Sequence, residues 1–217
     1  PYADRPTTRG LVSLPKGAIL ALAQFCADHD MQLATHAIGD KANRAVLDAY
    51  EAVAVDGGIA GRRFRVEHAQ VVAAADFERF QALGVLPSMQ PTHLTSDMPW
   101  APDRLGTVRV MRAYAWRTFQ ELDVLVPFGS DFPVESVDPR RGIYSAVTTK
   151  PVDGGLALRP DQQLPRARAL RGFTYDAAYG MHSEQRLGTI ELRKYADLTV
   201  FDRNLLTCSE RELLEAK

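Results

Sequence analysis

Cysteine is scarce in this sequence: two of 217 residues, Cys26 and Cys208, far apart and in no CxxC pairing. That excludes a disulfide framework and leaves two free thiols, the usage of a reducing compartment, so a cytoplasmic setting is expected. An excess of charge of either sign is also missing. Lys and Arg number 26 against 27 Asp and Glu, a net charge of −1, so there is no bulk electrostatic case for nucleic acid or an anionic membrane surface. No apolar run approaches the ~20 residues that a membrane span needs, and no stretch resembles a signal peptide. Internal repeats beyond a strand–helix alternation and low-complexity segments are absent. Nothing has the arrangement of a nucleophilic serine or cysteine site. An initiator methionine is lacking too. Residues Pro1 to Pro6 read as mid-chain loop, and Glu210 to Lys217 have a helical pattern that stops without a cap. The expectation is a piece of a longer chain.

What remains is ordinary globular composition, 46% hydrophobic and 24% charged, arranged with a clear period. Pro15 suits the first residue of a helix. Ile19, Leu20, Leu22, Ala23 and Phe25-Cys26 then give a helical apolar face up to about His29. Met31 to His36 reads as a strand. Asp40 suits the N-cap of a helix from Lys41 to about Val55, with Ala42, Ala45, Val46, Ala49 and Val53 inward and Gly57-Gly58 ending it. Arg63 to His68 alternates as a second strand. A helix over Ala73 to Leu83 and a strand over Gly84 to Met89 follow.

Leu94 to Leu105, with two prolines and a tryptophan, reads as a functional loop. Val108 to Leu122 reads as one helix and Val124 to Phe128 as a fourth buried strand. Beyond it come a short helix over Pro139 to Val147, a flexible loop over Pro151 to Pro160 and a helix over Arg166 to Tyr179. Ala196 to Asp202 alternates cleanly, as a half-buried strand of a second, smaller β structure. Four strand–helix units in about 130 residues have the pitch of a (β/α)8 barrel, which needs ~250 residues for eight units. Parallel sheets bury both faces, and half a barrel leaves two open edges.

Three strand ends carry metal-binding chemistry. His36, His68 and Asp131 each close a strand of this reading, and in a barrel those ends meet at one mouth. Two imidazoles and a carboxylate suit zinc and similar divalent ions. A lone histidine at a strand end is more often structural; two on adjacent strands with a later acid outweigh that. Gln90 and His93 close the third strand and could meet a substrate carbonyl or carboxylate. Loop-stabilising roles suit them equally. Glu67 alternates away from His68 and reads as a buried ion-pair partner for an arginine. His29 and His182 sit in unremarkable helix-end settings. Asp97, Arg104 and Arg109 are rim residues without a specific signal.

Taken in order, Thr35-His36-Ala37-Ile38-Gly39-Asp40-Lys41-Ala42, Val66-Glu67-His68-Ala69-Gln70, Ser88-Met89-Gln90-Pro91-Thr92-His93 and Gly129-Ser130-Asp131-Phe132-Pro133-Val134-Glu135 resemble the metal-dependent amidohydrolases. The branch they resemble includes the YtcJ-like proteins and N-substituted formamide deformylases. Thr174 to Ala178 and Gly188 to Asp202, with Ala196-Asp197-Leu198, are similar to its carboxyl-terminal signature.

The resemblance implies an α/β fold: the C-terminal half of an amidohydrolase (β/α)8 TIM barrel over residues 1–185, with strands 5 to 8. Residues 186–217 would begin part of a small β-sandwich. It also implies that His36, His68 and Asp131 ligate one or two divalent ions, zinc being the expected metal, and that Gln90 and His93 bind substrate. Asp131 would take the proton of a metal-activated water and return it to the leaving amine, with His93 steadying the oxyanion. The substrate would be a small-molecule amide or formamide, cleaved at a non-peptide C–N bond. Nucleic acid and membrane are not expected partners; a homo-oligomer stays open.

The family also takes an HxH pair from its first strand and, in many members, a lysine from its fourth. The present sequence contains no HxH. The alternative reading is therefore a catalytically silent remnant or scaffold, and these 217 residues by themselves are expected to be inactive.

Overall fold

The computed structural model describes residues 1–55, 57 and 59–217. They form two compact units. One combines Pro1–Met89 with Pro99–Leu125, the other Gln90–Met98 with Val126–Lys217.

The first unit is an α/β layer. Helix α1 (Lys16–Asp28) buries Ile19, Ala23, Cys26 and Ala27 and leaves the expected apolar positions Leu20, Leu22 and Phe25 exposed. Pro15 occupies its N-cap position rather than its first turn. Strand β1 (Ala34–Ala37) leads to helix α2 (Asp40–Ala54), which packs on α1. Asp40 is the first helical residue and Gly39 the N-cap, so the cap falls one residue earlier than the sequence suggests. The Asp40 carboxylate instead accepts from the Lys41 backbone N–H at 2.8 Å. The buried stripe of α2 is Val46, Leu47, Ala49, Tyr50 and Val53, with Asn43 among them. Gly57 has the left-handed φ of 75° that suits glycine after a helix. Gly58, expected to help end α2, lies outside the described residues.

Strand β2 (Arg65–His68), a 3-10 turn, helix α3 (Phe77–Leu83) and strand β3 (Leu86–Ser88) complete the layer. The sheet order is β1-β2-β3, all parallel. Its register places Ala37 opposite His68 and His36 opposite Glu67.

Two readings of the following region need correction. Leu94 to Leu105 is not a loop: helix α4 (Pro91–Asp97) and helix α5 (Ala101–Arg109) run through it. Each carries its proline in the first turn, where the missing N–H costs nothing, so proline here starts helices rather than breaking them. Nor is Val108 to Leu122 one helix. A 3-10 turn follows α5, and helix α6 (Trp116–Glu121) starts only after a break. At the break Tyr114 takes φ of 54°, its N–H donates to the Gln70 carbonyl at 2.8 Å, and Ala113 pairs antiparallel with Val71. Those long-range bonds outweigh helical continuity.

The second unit is helical. Helix α7 (Pro139–Thr148), capped by Asp138, packs against α4. Helix α8 (Arg166–Arg171) runs through a π turn (Gly172–Asp176) into helix α9 (Ala177–Gly180), and helix α10 (Glu210–Glu215) carries a Ser209–Glu212 capping box.

The expected fourth strand, Val124 to Phe128, is largely buried but falls outside the three named strands of the sheet among the described residues, with Phe128 alone in a bridge position. Two of its N–H groups are already taken inside the second unit. Val126 donates to the Asp176 carboxylate and Phe128 to the Gly172 carbonyl at 2.9 Å. Ala196 to Asp202 also forms no strand. Its apolar residues Leu198 and Val200 are 61% and 86% exposed, and alternation without a pairing partner does not make a ladder. No described helix is long and apolar enough to cross a membrane.

Candidate metal and substrate site

The carboxyl ends of β1 and β2 bring two of the candidate ligands together. The His36 and His68 rings meet edge to face, centroids 4.6 Å apart. The register alone does not predict this. Partners across a parallel pair share a face, and His36 is partnered with Glu67, not His68. Strict alternation would send His68 to the other side of the sheet. His68, however, takes φ of 74° and Ala69 takes 43°, both in the left-handed region that costs a non-glycine residue about 1–2 kcal/mol. That turn breaks the alternation and carries the His68 ring over to His36. Backbone strain of this kind, held by surrounding structure, is concentrated at functional sites.

The surrounding structure is on hand. Asn43, fully buried, places its Nδ2 at 3.1 Å from the Ala37 carbonyl, 3.0 Å from Gly39 and 3.2 Å from Val71. One amide thus ties the loop after β1 to the loop after β2. Val71 N–H adds a bond to the Ile38 carbonyl at 2.9 Å. Sequence reading missed Asn43; a polar residue amid the apolar stripe of α2, three positions after Asp40, was its only signal. Below the pair, Tyr50 donates to the Arg65 carbonyl at 3.0 Å, and burial pushes its phenol upward. Glu67 does pair with an arginine, Arg65 at 2.7 Å, but both side chains are about a quarter exposed rather than buried.

The other candidates lie in the second unit. Gln90 is buried in the N-cap position of α4 and its carbonyl accepts from the His93 N–H at 3.0 Å. His93, on α4, approaches Asp131 at 3.8 Å between Nε2 and Oδ2, a charge contact longer than a hydrogen bond. Asp131, half-exposed, has a left-handed φ of 57°, and the Phe132–Pro133 peptide, one residue further on, is cis. The Ser96 hydroxyl of α4 donates to Glu135, tying the Asp131 loop to the helix that bears His93. An open cleft of about 490 Å³ elsewhere in this unit is walled by Leu170, Arg171, Tyr175 and Leu206, not by any of these residues.

The supposed rim residues are occupied. Arg104 pairs with Asp4 at 3.0 Å and lies over Tyr2, and Arg109 donates to the Leu105 carbonyl at 3.0 Å. His29 stacks on Phe25 and hydrogen-bonds its carbonyl.

For a divalent metal, the donor set of the first unit fits: two imidazoles on adjacent strand ends, one exposed and one buried at the edge. Among the described residues no group of three His, Cys, Asp or Glu side chains is placed to hold an ion, so the pair is a partial set.

Comparison with known proteins agrees with the motifs. The model of the amidohydrolase family matches residues 1–217. The putative amidohydrolase YtcJ of Bacillus subtilis (strain 168) is 34% identical over 221 residues, covering 100% of this chain and 41% of the relative. N-substituted formamide deformylase of Arthrobacter pascens is 28% identical over 204 residues, covering 92% of this chain and 37% of the relative. Among solved structures, an uncharacterized metal-dependent hydrolase from Pyrococcus horikoshii OT3 superposes with a TM-score of 0.85 at 30% identity, over 97% of this chain and 42% of that one. The chain spans about two fifths of the length of these proteins.

Proposed function

Since the chain belongs to the amidohydrolase family, we propose that it forms the carboxyl-terminal barrel half, with part of the small β-sandwich, of a metal-dependent hydrolase. The proposed reaction is cleavage of a non-peptide amide or formamide C–N bond. The observation that carries the reading is the meeting of His36 and His68 across adjacent strand ends, held by a left-handed backbone. The naming of one relative as a formamide deformylase supports the substrate class.

In this reading His36, His68 and Asp131 hold the divalent ion, zinc being the expected one. Bound there, a divalent ion would supply Lewis acidity to a water and to the scissile carbonyl. The chain's own groups do the rest. Asp131 accepts the water proton on a carboxylate oxygen and delivers it to the departing nitrogen, because an amine leaves only when protonated. His93, beside Asp131, donates to the oxygen that gains charge in the tetrahedral transition state. Gln90 orients the substrate carbonyl. The reading of a silent scaffold accounts less well for two histidines meeting at adjacent strand ends.

The test is expression of the complete reading frame, elemental analysis of the purified protein, and assay against a panel of N-acyl and N-formyl amines. Release of carboxylate or formate by a protein containing near-stoichiometric divalent metal is the expected result. Full activity after exhaustive chelation would end the proposal.

A further inference from the structure

The run that leads to Asp131 is held from an unexpected side. Val126 and Phe128 are two apart in the chain, and their N–H groups go to one neighbour. Both are claimed by the π turn: Val126 by the Asp176 carboxylate, Phe128 by the Gly172 carbonyl at 2.9 Å. The fit is close. A Cβ on Gly172 would lie 2.3 Å from the Phe128 ring, and the Phe128 and Phe173 rings pack 5.5 Å apart. Pro127, between the two, offers no N–H and is buried. Asp176 itself is 2% exposed, and its Oδ1 lies 3.0 Å from the Arg171 Nε. A carboxylate is costly to bury, and a turn that needed only packing would carry an apolar residue here.

We infer that Asp176 is a positioning residue for Asp131. Its carboxylate and the Gly172 carbonyl clamp alternate backbone amides of residues 126–128, and so fix where the chain delivers the Asp131 carboxyl three residues on. The inference rests on the reading of Asp131 as the proton carrier. Asp176 itself touches no reacting atom; it acts through backbone.

Hydrogen exchange and kinetics on the full-length protein test it together. In the wild type, the Val126 and Phe128 amides exchange at least about tenfold more slowly than those of Gly129 and Ser130. Asp176→Ala raises exchange at Val126 about tenfold while the α7 amides stay protected. It lowers kcat about tenfold or more with KM little changed, because the reacting group is misplaced rather than the binding groups. Asp176→Asn keeps an oxygen for the Val126 amide and recovers most of both effects.

A Val126 amide that exchanges as fast as Ser130 in the wild type overturns the clamp, without need of any variant. So does Asp176→Ala that loosens the run yet keeps kcat, in a protein that Asp131→Asn inactivates. If Asp131→Asn is itself fully active, the proton-carrier reading has failed. The positioning of Asp131 for catalysis then falls with it, while the exchange rates still report the clamp separately.

Discussion

His36 and His68 meet edge to face, 4.6 Å between ring centroids, although the strand register pairs His36 with Glu67. The contact exists because His68 leaves the strand conformation at φ of 74°. If the pair ligates metal, His36→Ala and His68→Ala each lower bound metal and turnover together. Asp131→Asn lowers kcat by about 100-fold or more, since an amide cannot carry the proton. Gln90→Ala raises KM with metal retained. Elemental analysis beside steady-state kinetics separates the three outcomes; full metal content in the His36→Ala, His68→Ala double variant would remove these ligands from the site.

Asn43 is the joint beneath that pair. Asn43→Ala takes the side-chain donor from the carbonyls of Ala37, Gly39 and Val71, of which Gly39 keeps the Asn43 backbone N–H at 2.9 Å, and is expected to cost about 1–3 kcal/mol. Asn43→Asp is worse at pH 8, where a carboxylate would face those carbonyls. It improves toward acid pH, because a protonated carboxyl can donate. Thermal unfolding of both variants at pH 5 and pH 8 checks the sign: an Asn43→Asp protein as stable as the wild type at pH 8 would show that the amide does not donate as described.

At Gly172 the constraint is steric. A methyl group there would sit 2.3 Å from Phe128 Cδ2, so Gly172→Ala is expected to destabilise by about 1–3 kcal/mol through overpacking. Phe128→Leu should restore part of that loss in the double variant, since the two residues share the contact. Strict additivity of the two single changes, measured by denaturant unfolding, would mean that the clash is relieved elsewhere.

The strand–helix alternation, the helices around Ile19, Val46 and Phe80 and the ends of β1 to β3 were legible because apolar spacing encodes them locally. Histidines at strand ends also stand out from a mixed surface, and two of them, His36 and His68, meet. What was not legible depends on distant partners. The break at Tyr114 is made by Gln70, and the anchoring of Val126 and Phe128 on the π turn is made by Asp176 and Gly172. Proline at the start of α4 and α5 was misjudged as a loop signal, although the residue suits a first turn as well as a loop. Leu198 and Val200 alternate as a strand would, yet alternation says which face is apolar and not whether a neighbour is there to pair.

Asp176 gives the chain a pH dependence of unusual sign. Burial raises its carboxyl to about 6 despite the opposing charge of Arg171, whereas in the unfolded chain an aspartate titrates near 3.9. The folded state therefore holds a proton that the unfolded state has lost over the window from about pH 4 to 6, and stability falls as pH rises through it. The loss is on the order of 2–3 kcal/mol by pH 7, after which this group adds no further slope. Asp161 works the other way: Arg159 holds it down at about 2, so its contribution is present above about pH 4 and is lost toward pH 2. Asp48, Asp138, Asp202 and Glu212 are held down by their partners as well, so the Asp176 part is isolated by difference from a variant that lacks it. Asp176→Asn removes the titrating group and should flatten the stability profile from pH 4 to 6, leaving the acid limb below pH 4 in place. Chemical denaturation across that range is the measurement. A wild-type profile that is flat or rising from pH 4 to 6, matched by the Asn variant, would show that Asp176 is not held protonated by burial.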